Sequence, residues 1–184
     1  PGRARTAWQA AGAVYCGIAS AILIQIRQEP AGAAIVLLIL GAVIGTDIGA
    51  YFAGRTIGGP KIAPRISPSK TWAGLGGGIV GASLLIWVVL GNAERFLSAI
   101  PTAQLTAVDI ARDPLQIFCM GAAVAVVAQA GDFFESWMKR AAGVKDSGKL
   151  LPGHGGLFDR VDGLLAVLVV FGTLFVIVRL STLS

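Results

Sequence analysis

The chain has 184 residues, 55% of them hydrophobic and only 14% charged, with a formal net charge of +5. Apolar runs of bilayer length with so few charges exclude a water-soluble domain and a disordered chain, and they put the excess of Lys and Arg beside a membrane rather than on nucleic acid. Cys16 and Cys119 each lie in an apolar run far from any second ligand, which excludes a disulfide framework or a cysteine zinc site and leaves two small packing residues.

In chain order, a basic start (Arg3, Arg5) precedes a first apolar run from about Ala10 to Ile26, long enough to cross a bilayer and ended by Arg27-Gln-Glu-Pro30. The start lacks an initiator Met and no small-residue cleavage pattern follows the first run, so a fragment without a signal peptide is expected. A second run spans Ala31 to about Gly54 and holds Asp47. A carboxylate inside a span costs about 3 kcal/mol on insertion scales, so it should face protein or water. Asp47, Tyr51 and Arg55 recur at i, i+4, i+8 and share one helical face. Two readings are open for Asp47: a structural carboxylate paired with Arg55 or a neighbouring helix, or one bordering a polar cavity.

The loop from Arg55 to Thr71 carries four basic residues, no acid and three prolines, Pro60, Pro64 and Pro68. The prolines forbid a regular helix, so its backbone should be extended or turned. Its cations suit lipid headgroups or phosphates, or serve only as a topogenic signal. A third run, Gly74 to Leu90, sets Gly74 and Gly78, and Gly77 and Gly81, at a spacing that permits close helix packing. After a polar connection, Asp113-Pro114 starts a fourth helix with Asp at the N-cap and Pro at N1. That span runs from Leu115 to about Phe134, and a fifth from about Leu164 to Leu180. With the N-terminus inside, eleven of the fifteen Lys and Arg fall on the cytoplasmic side. The expectation is an all-α, polytopic integral membrane helix bundle of about five spans, a single domain over 1–184, with a basic cytoplasmic loop and a polar Gly-rich loop at its site.

Between the last two spans, Gly131 to Gly163 holds half of the ten acidic residues, five Lys or Arg and the only His. Asp132, Glu135, Ser136 and Lys139 form one polar helical face, and the helix should fray at Gly143. Pro152-Gly-His-Gly-Gly156 offers backbone N–H groups to phosphate oxygens, and Asp159 and Asp162 enter the fifth helix at i, i+3. Asp132 and Asp159, carboxylates from two helix ends amid cations, suit a Mg2+-triphosphate site and hence phosphoryl or nucleotidyl transfer. Blander roles stay open: Glu135 and Lys139 as an ordinary i, i+4 pair, and His154 as a turn residue.

Ser136, Lys139, Arg140, Lys145, Asp146, Pro152 to Gly156, Asp159, Arg160 and Asp162 resemble in type and spacing the signature of the phosphatidate cytidylyltransferase family. The segments TDIGAYFAGRTIG around Asp47 and ISPSKTWAG around Ser67 are similar to that family's other recurrent segments. The resemblance implies condensation of CTP with phosphatidic acid to CDP-diacylglycerol and pyrophosphate, with Mg2+ required and a potassium ion beside it. It further implies Asp132 and Asp159 as metal ligands, with Lys139, Arg140, Lys145, Asp146, His154, Arg160 and Asp162 around the reacting phosphates. Asp47, Ser67, Lys70, Thr71, Gly155 and Gly156 would then border the substrates. It also implies a bacterial inner-membrane enzyme with its site facing the cytoplasm, a homodimer, and further N-terminal helices that make this chain the C-terminal catalytic part. Thr71-Trp-Ala-Gly74 departs from the family's T-W-E-G, so any role of that Glu is absent here or supplied elsewhere. Two other readings are a cation-coupled transporter with Asp47, Asp132 and Asp159 along an ion path, and a catalytically silent membrane scaffold.

Overall fold

A computed structural model describes residues 2–29, 32–92, 113–144 and 158–181. Helix α1 is Gly2–Gln28 and α2 is Gly32–Thr56, followed by strands β1 (Lys61–Ala63) and β2 (Ser67–Thr71). Helix α3 is Trp72–Gly91, α4 is Pro114–Ala141, and α5 (Phe158–Val167) runs through a π-helical turn at Leu168–Gly172 into α6 (Thr173–Ser181). Among the described residues, five helical segments are long and apolar enough to cross a membrane: Trp8–Gln28, Gly32–Thr56, Trp72–Gly91, Pro114–Ala141 and Arg160–Arg179. The protein is an all-α polytopic membrane bundle, apart from one short hairpin.

In lipid, helices gain little from burying apolar surface against each other, so close packing and small residues decide the contacts. Helices α2 and α3 form the most extensive pair. A Cβ at Gly45 would lie 2.5 Å from the carbonyl oxygen of Gly81, and one at Gly49 would overlap the Gly77 carbonyl. Two glycine rows thus put backbone against backbone, as the spacing of Gly77 and Gly81 leads one to expect. Helix α4 packs against this pair, chiefly on α3, with Ala42, Ile86 and Ile117 buried between α2, α3 and α4. A second cluster joins α1 to α5 and the π turn through Ala19, Ile22, Ile26, Leu165 and Leu168. Gly172 in the π turn sits directly on Ile22.

The proline-rich loop is an antiparallel hairpin in which Lys61 pairs with Thr71 and Ala63 with Ser67, with an irregular register between. Thr71 closes β2 and caps α3, its hydroxyl oxygen accepting the Gly74 N–H at 3.0 Å. Asp113 caps α4 by accepting the Leu115 N–H at 3.1 Å, with Pro114 in the first turn. Helix α4 runs past Phe134 to Ala141, and Gly143 follows at φ +70°, so the polar face from Asp132 to Arg140 is helical throughout.

Candidate active site

Four elements meet where α4 nears its C-terminal end. A Cβ at Gly131 would lie 2.9 Å from the Asp162 carbonyl oxygen and would overlap the Ala166 methyl. Glycine there lets α4 and α5 approach closely, which brings Asp132 and Asp162 together. One carboxylate oxygen from each of Asp132, Glu135 and Asp162 lies within 4.8 Å of the others. At that distance each pair of carboxylates repels by about 3 kcal/mol for an effective dielectric near 20. Cations are therefore part of the design.

Two lysines supply them. Lys70, carried by β2, makes an ion pair with Asp132, and Lys139 lies 2.8 Å from Glu135, which is only 2% exposed. The charges of Asp47 and Asp162 also lie within electrostatic reach of both Lys70 and Asp132. Asp162 further accepts the adjacent Gly163 N–H at 2.7 Å. The sequence reading of Glu135 and Lys139 as an i, i+4 pair thus holds, and the same glutamate is also the third member of the carboxylate cluster.

Beside the cluster opens a cavity of about 550 Å3. Asp47, Tyr51 and Arg55 of α2, Lys70 and Thr71 of β2, and Gln129 of α4 line it. Arg55 donates to the Tyr51 hydroxyl at 2.7 Å, while Asp47 feels the charge of Lys70 across the cavity. Of the two readings of Asp47, the cavity-bordering one describes the structure. Ser67 is buried at the start of β2, while Arg140 and Arg160 are exposed beyond the cluster. Lys145, Asp146, His154, Gly155 and Gly156 lie outside the described residues, as does the side chain of Asp159.

Two contributors escape a reading by spacing alone. Glu135 as a cluster member depends on where α5 packs. Gln129 had a visible signal: it stands three residues before Asp132 in an otherwise apolar run and extends the same polar face toward the membrane interior.

The donor set consists only of carboxylate oxygens, which suits a hard divalent cation such as Mg2+. A membrane bundle with such a cluster, flanked by lysines and open to a polar cavity, has the make-up of a phosphate-handling enzyme. The chain belongs to the cytidylyltransferase family, whose profile it matches over residues 3–178. It is 43% identical over 172 residues to a phosphatidate cytidylyltransferase of Brucella suis, covering 91% of this chain and 58% of that protein. The same name belongs to relatives in Pseudomonas aeruginosa (40% identical, 83% of this chain and 51% of the relative) and Rickettsia bellii (34% identical, 84% and 63%). The chain thus spans between half and two thirds of these relatives' lengths.

Proposed function

We propose that this chain is the catalytic part of a phosphatidate cytidylyltransferase, which joins CTP and phosphatidic acid to give CDP-diacylglycerol and pyrophosphate. The observation that carries the reading is the meeting of three carboxylates and two lysines beside a polar cavity, in a chain of the cytidylyltransferase family. Family membership favours the transferase over the ion-path and scaffold readings.

In the reaction, a phosphate oxygen of phosphatidic acid attacks the α-phosphorus of CTP in line. The new P–O bond forms as the bond from the α-phosphorus to the bridging oxygen breaks, and pyrophosphate leaves with that oxygen. Lys70 and Arg55 line the cavity and hold the two anions against their mutual repulsion. Lys139 is fixed by Glu135 at the neighbouring edge of the cluster. The lipid phosphate is already anionic near neutral pH, so the attack needs no strong general base. Asp132, Glu135 and Asp162 would hold Mg2+, and Asp159 joins them in this proposal through the family signature. When bound, the ion supplies positive charge that neutralises the nucleotide phosphates. Arg140 and Arg160, exposed beyond the cluster, draw anionic substrates toward it, with Lys145, Asp146 and the glycine-flanked His154 assigned to the phosphates by the signature. In this proposal the site faces the cytoplasm at a bacterial inner membrane, and the uneven distribution of Lys and Arg between the two sides supports that orientation. A homodimer is carried as part of the proposal.

The test is formation of CDP-diacylglycerol from labelled CTP and phosphatidic acid by the purified full-length protein. Lipid-dependent product that vanishes with EDTA and returns with Mg2+ is expected. Product formation unaffected by EDTA, or none with CTP, refutes the reading.

A further inference from the structure

Gln129 is 8% exposed, in the middle of a membrane-spanning helix, and it lines the polar cavity. Among the described residues its side-chain amide makes no hydrogen bond. The side chain is held in the packed bundle while its amide is not sealed from the cavity, so its donor and acceptor are open to a group that enters there. Asp47 lines the same cavity eight residues before Arg55, about 12 Å deeper along α2 at 1.5 Å per residue. Gln129 likewise stands about one turn from Asp132 on the side away from the C-terminal end of α4. The cavity therefore has two ends: cations (Lys70, Arg55) toward the loops, and a carboxylate with an amide toward the membrane interior.

The chemistry of the inner end selects its occupant. A phosphate is repelled by Asp47 and attracted to the outer end. An acyl chain finds no suitable wall, since among the described lining residues no aliphatic side chain exceeds Ala50. What fits is a neutral group that both donates and accepts hydrogen bonds. Resting on the nucleotidyl-transfer reading above, we infer that Gln129 and Asp47 read the base of the nucleotide and make the site selective for cytosine.

The division of labour follows from donor and acceptor patterns. The amide of Gln129 donates to the ring N3 of cytosine and accepts from its exocyclic N4 amine. Rotated by half a turn, the same amide pairs equally well with the N3–H and O4 of uracil, so alone it does not distinguish the pyrimidines. Asp47 breaks that symmetry. An ionised carboxylate only accepts, so it pairs with the N4 amine of cytosine and repels the O4 of uracil.

The test compares wild-type full-length protein with Gln129→Leu and Asp47→Asn, reading transfer to phosphatidic acid and equilibrium binding with CTP and with UTP. Leucine suits a membrane helix, and Asn keeps the shape of Asp. Gln129→Leu is expected to lower kcat/KM for CTP roughly tenfold or more without changing the KM for phosphatidic acid. Asp47→Asn is expected to reduce the CTP-to-UTP preference by about tenfold or more, largely through better use of UTP, because Asn offers N–H to O4. An unchanged CTP-to-UTP ratio in Asp47→Asn overturns the inference, and so does a Gln129→Leu effect confined to the lipid KM. If Gln129→Leu fails to fold, the ratio in Asp47→Asn decides alone. A wild-type protein that binds CTP over UTP, loses that preference in Asp47→Asn, yet transfers nothing, upholds base reading and refutes the transfer reaction. Equal binding of CTP and UTP by the wild type refutes base reading whatever the transfer assay gives.

Discussion

Lys70 holds the centre of the site at the scale of single residues. It bridges the carboxylate cluster and the cavity, pairing with Asp132 while lining the cavity proposed to take the substrate phosphates. Lys70→Met removes the cation and leaves the cluster less balanced. Its expected effect is a fall in kcat/KM for CTP of about a hundredfold, with Lys70→Arg restoring part of it; a Met variant with wild-type kinetics would show that Lys70 serves the fold alone. Its neighbour Thr71 has a structural duty that can be tested apart, since its hydroxyl oxygen caps α3. Thr71→Val should cost about 1 kcal/mol, a drop of roughly 2–4 °C in the thermal midpoint in detergent, whereas Thr71→Ser should cost little.

At the scale of elements, the α2–α3 seam is the rigid base from which Asp47, Lys70 and Thr71 are presented. Gly81→Leu forces a side chain into the Gly45 carbonyl, and overpacking of this kind costs about 1–3 kcal/mol or more. The expected result is a clearly lower thermal midpoint, while Gly12→Leu, where a Cβ meets nothing within 4 Å, should leave it unchanged. This seam also shows what the sequence can and cannot reveal. The spacing of Gly77 and Gly81 announces a close approach, because small residues every fourth position have one physical use. Its partner row, Gly45 and Gly49, is just as visible, but nothing local says that two such rows face each other. Prolines at 60, 64 and 68 rule out helix between α2 and α3 but do not set the hairpin register, which comes from pairing across the loop. The π turn at Leu168–Gly172 contains no proline and no polar residue, and it follows from how Gly172 seats on Ile22 of α1. Likewise Asp132 and Glu135 are legible together from their polar helical face, whereas the joining of Asp162 to them depends on the tertiary closeness of α4 and α5 at Gly131.

At the scale of the whole molecule, five spans carry an uneven charge distribution, and the orientation it implies puts the hairpin, the carboxylate cluster and the ends of α2 and α4 on one side. With Cys16 and Cys119 replaced by Ala, Pro64→Cys in the exposed hairpin turn is expected to react with a membrane-impermeant thiol reagent only after the cells are opened. Labelling of intact cells would reverse the topology. The proposed nucleotidyl transfer takes place where α4, α5 and β2 meet. The most direct test is CDP-diacylglycerol formation by Asp132→Asn in the full-length protein, assayed beside wild type at matched membrane content. Normal insertion with product formation reduced by at least about a hundredfold is expected; Mg2+-dependent turnover within a few-fold of wild type would contradict the proposed site.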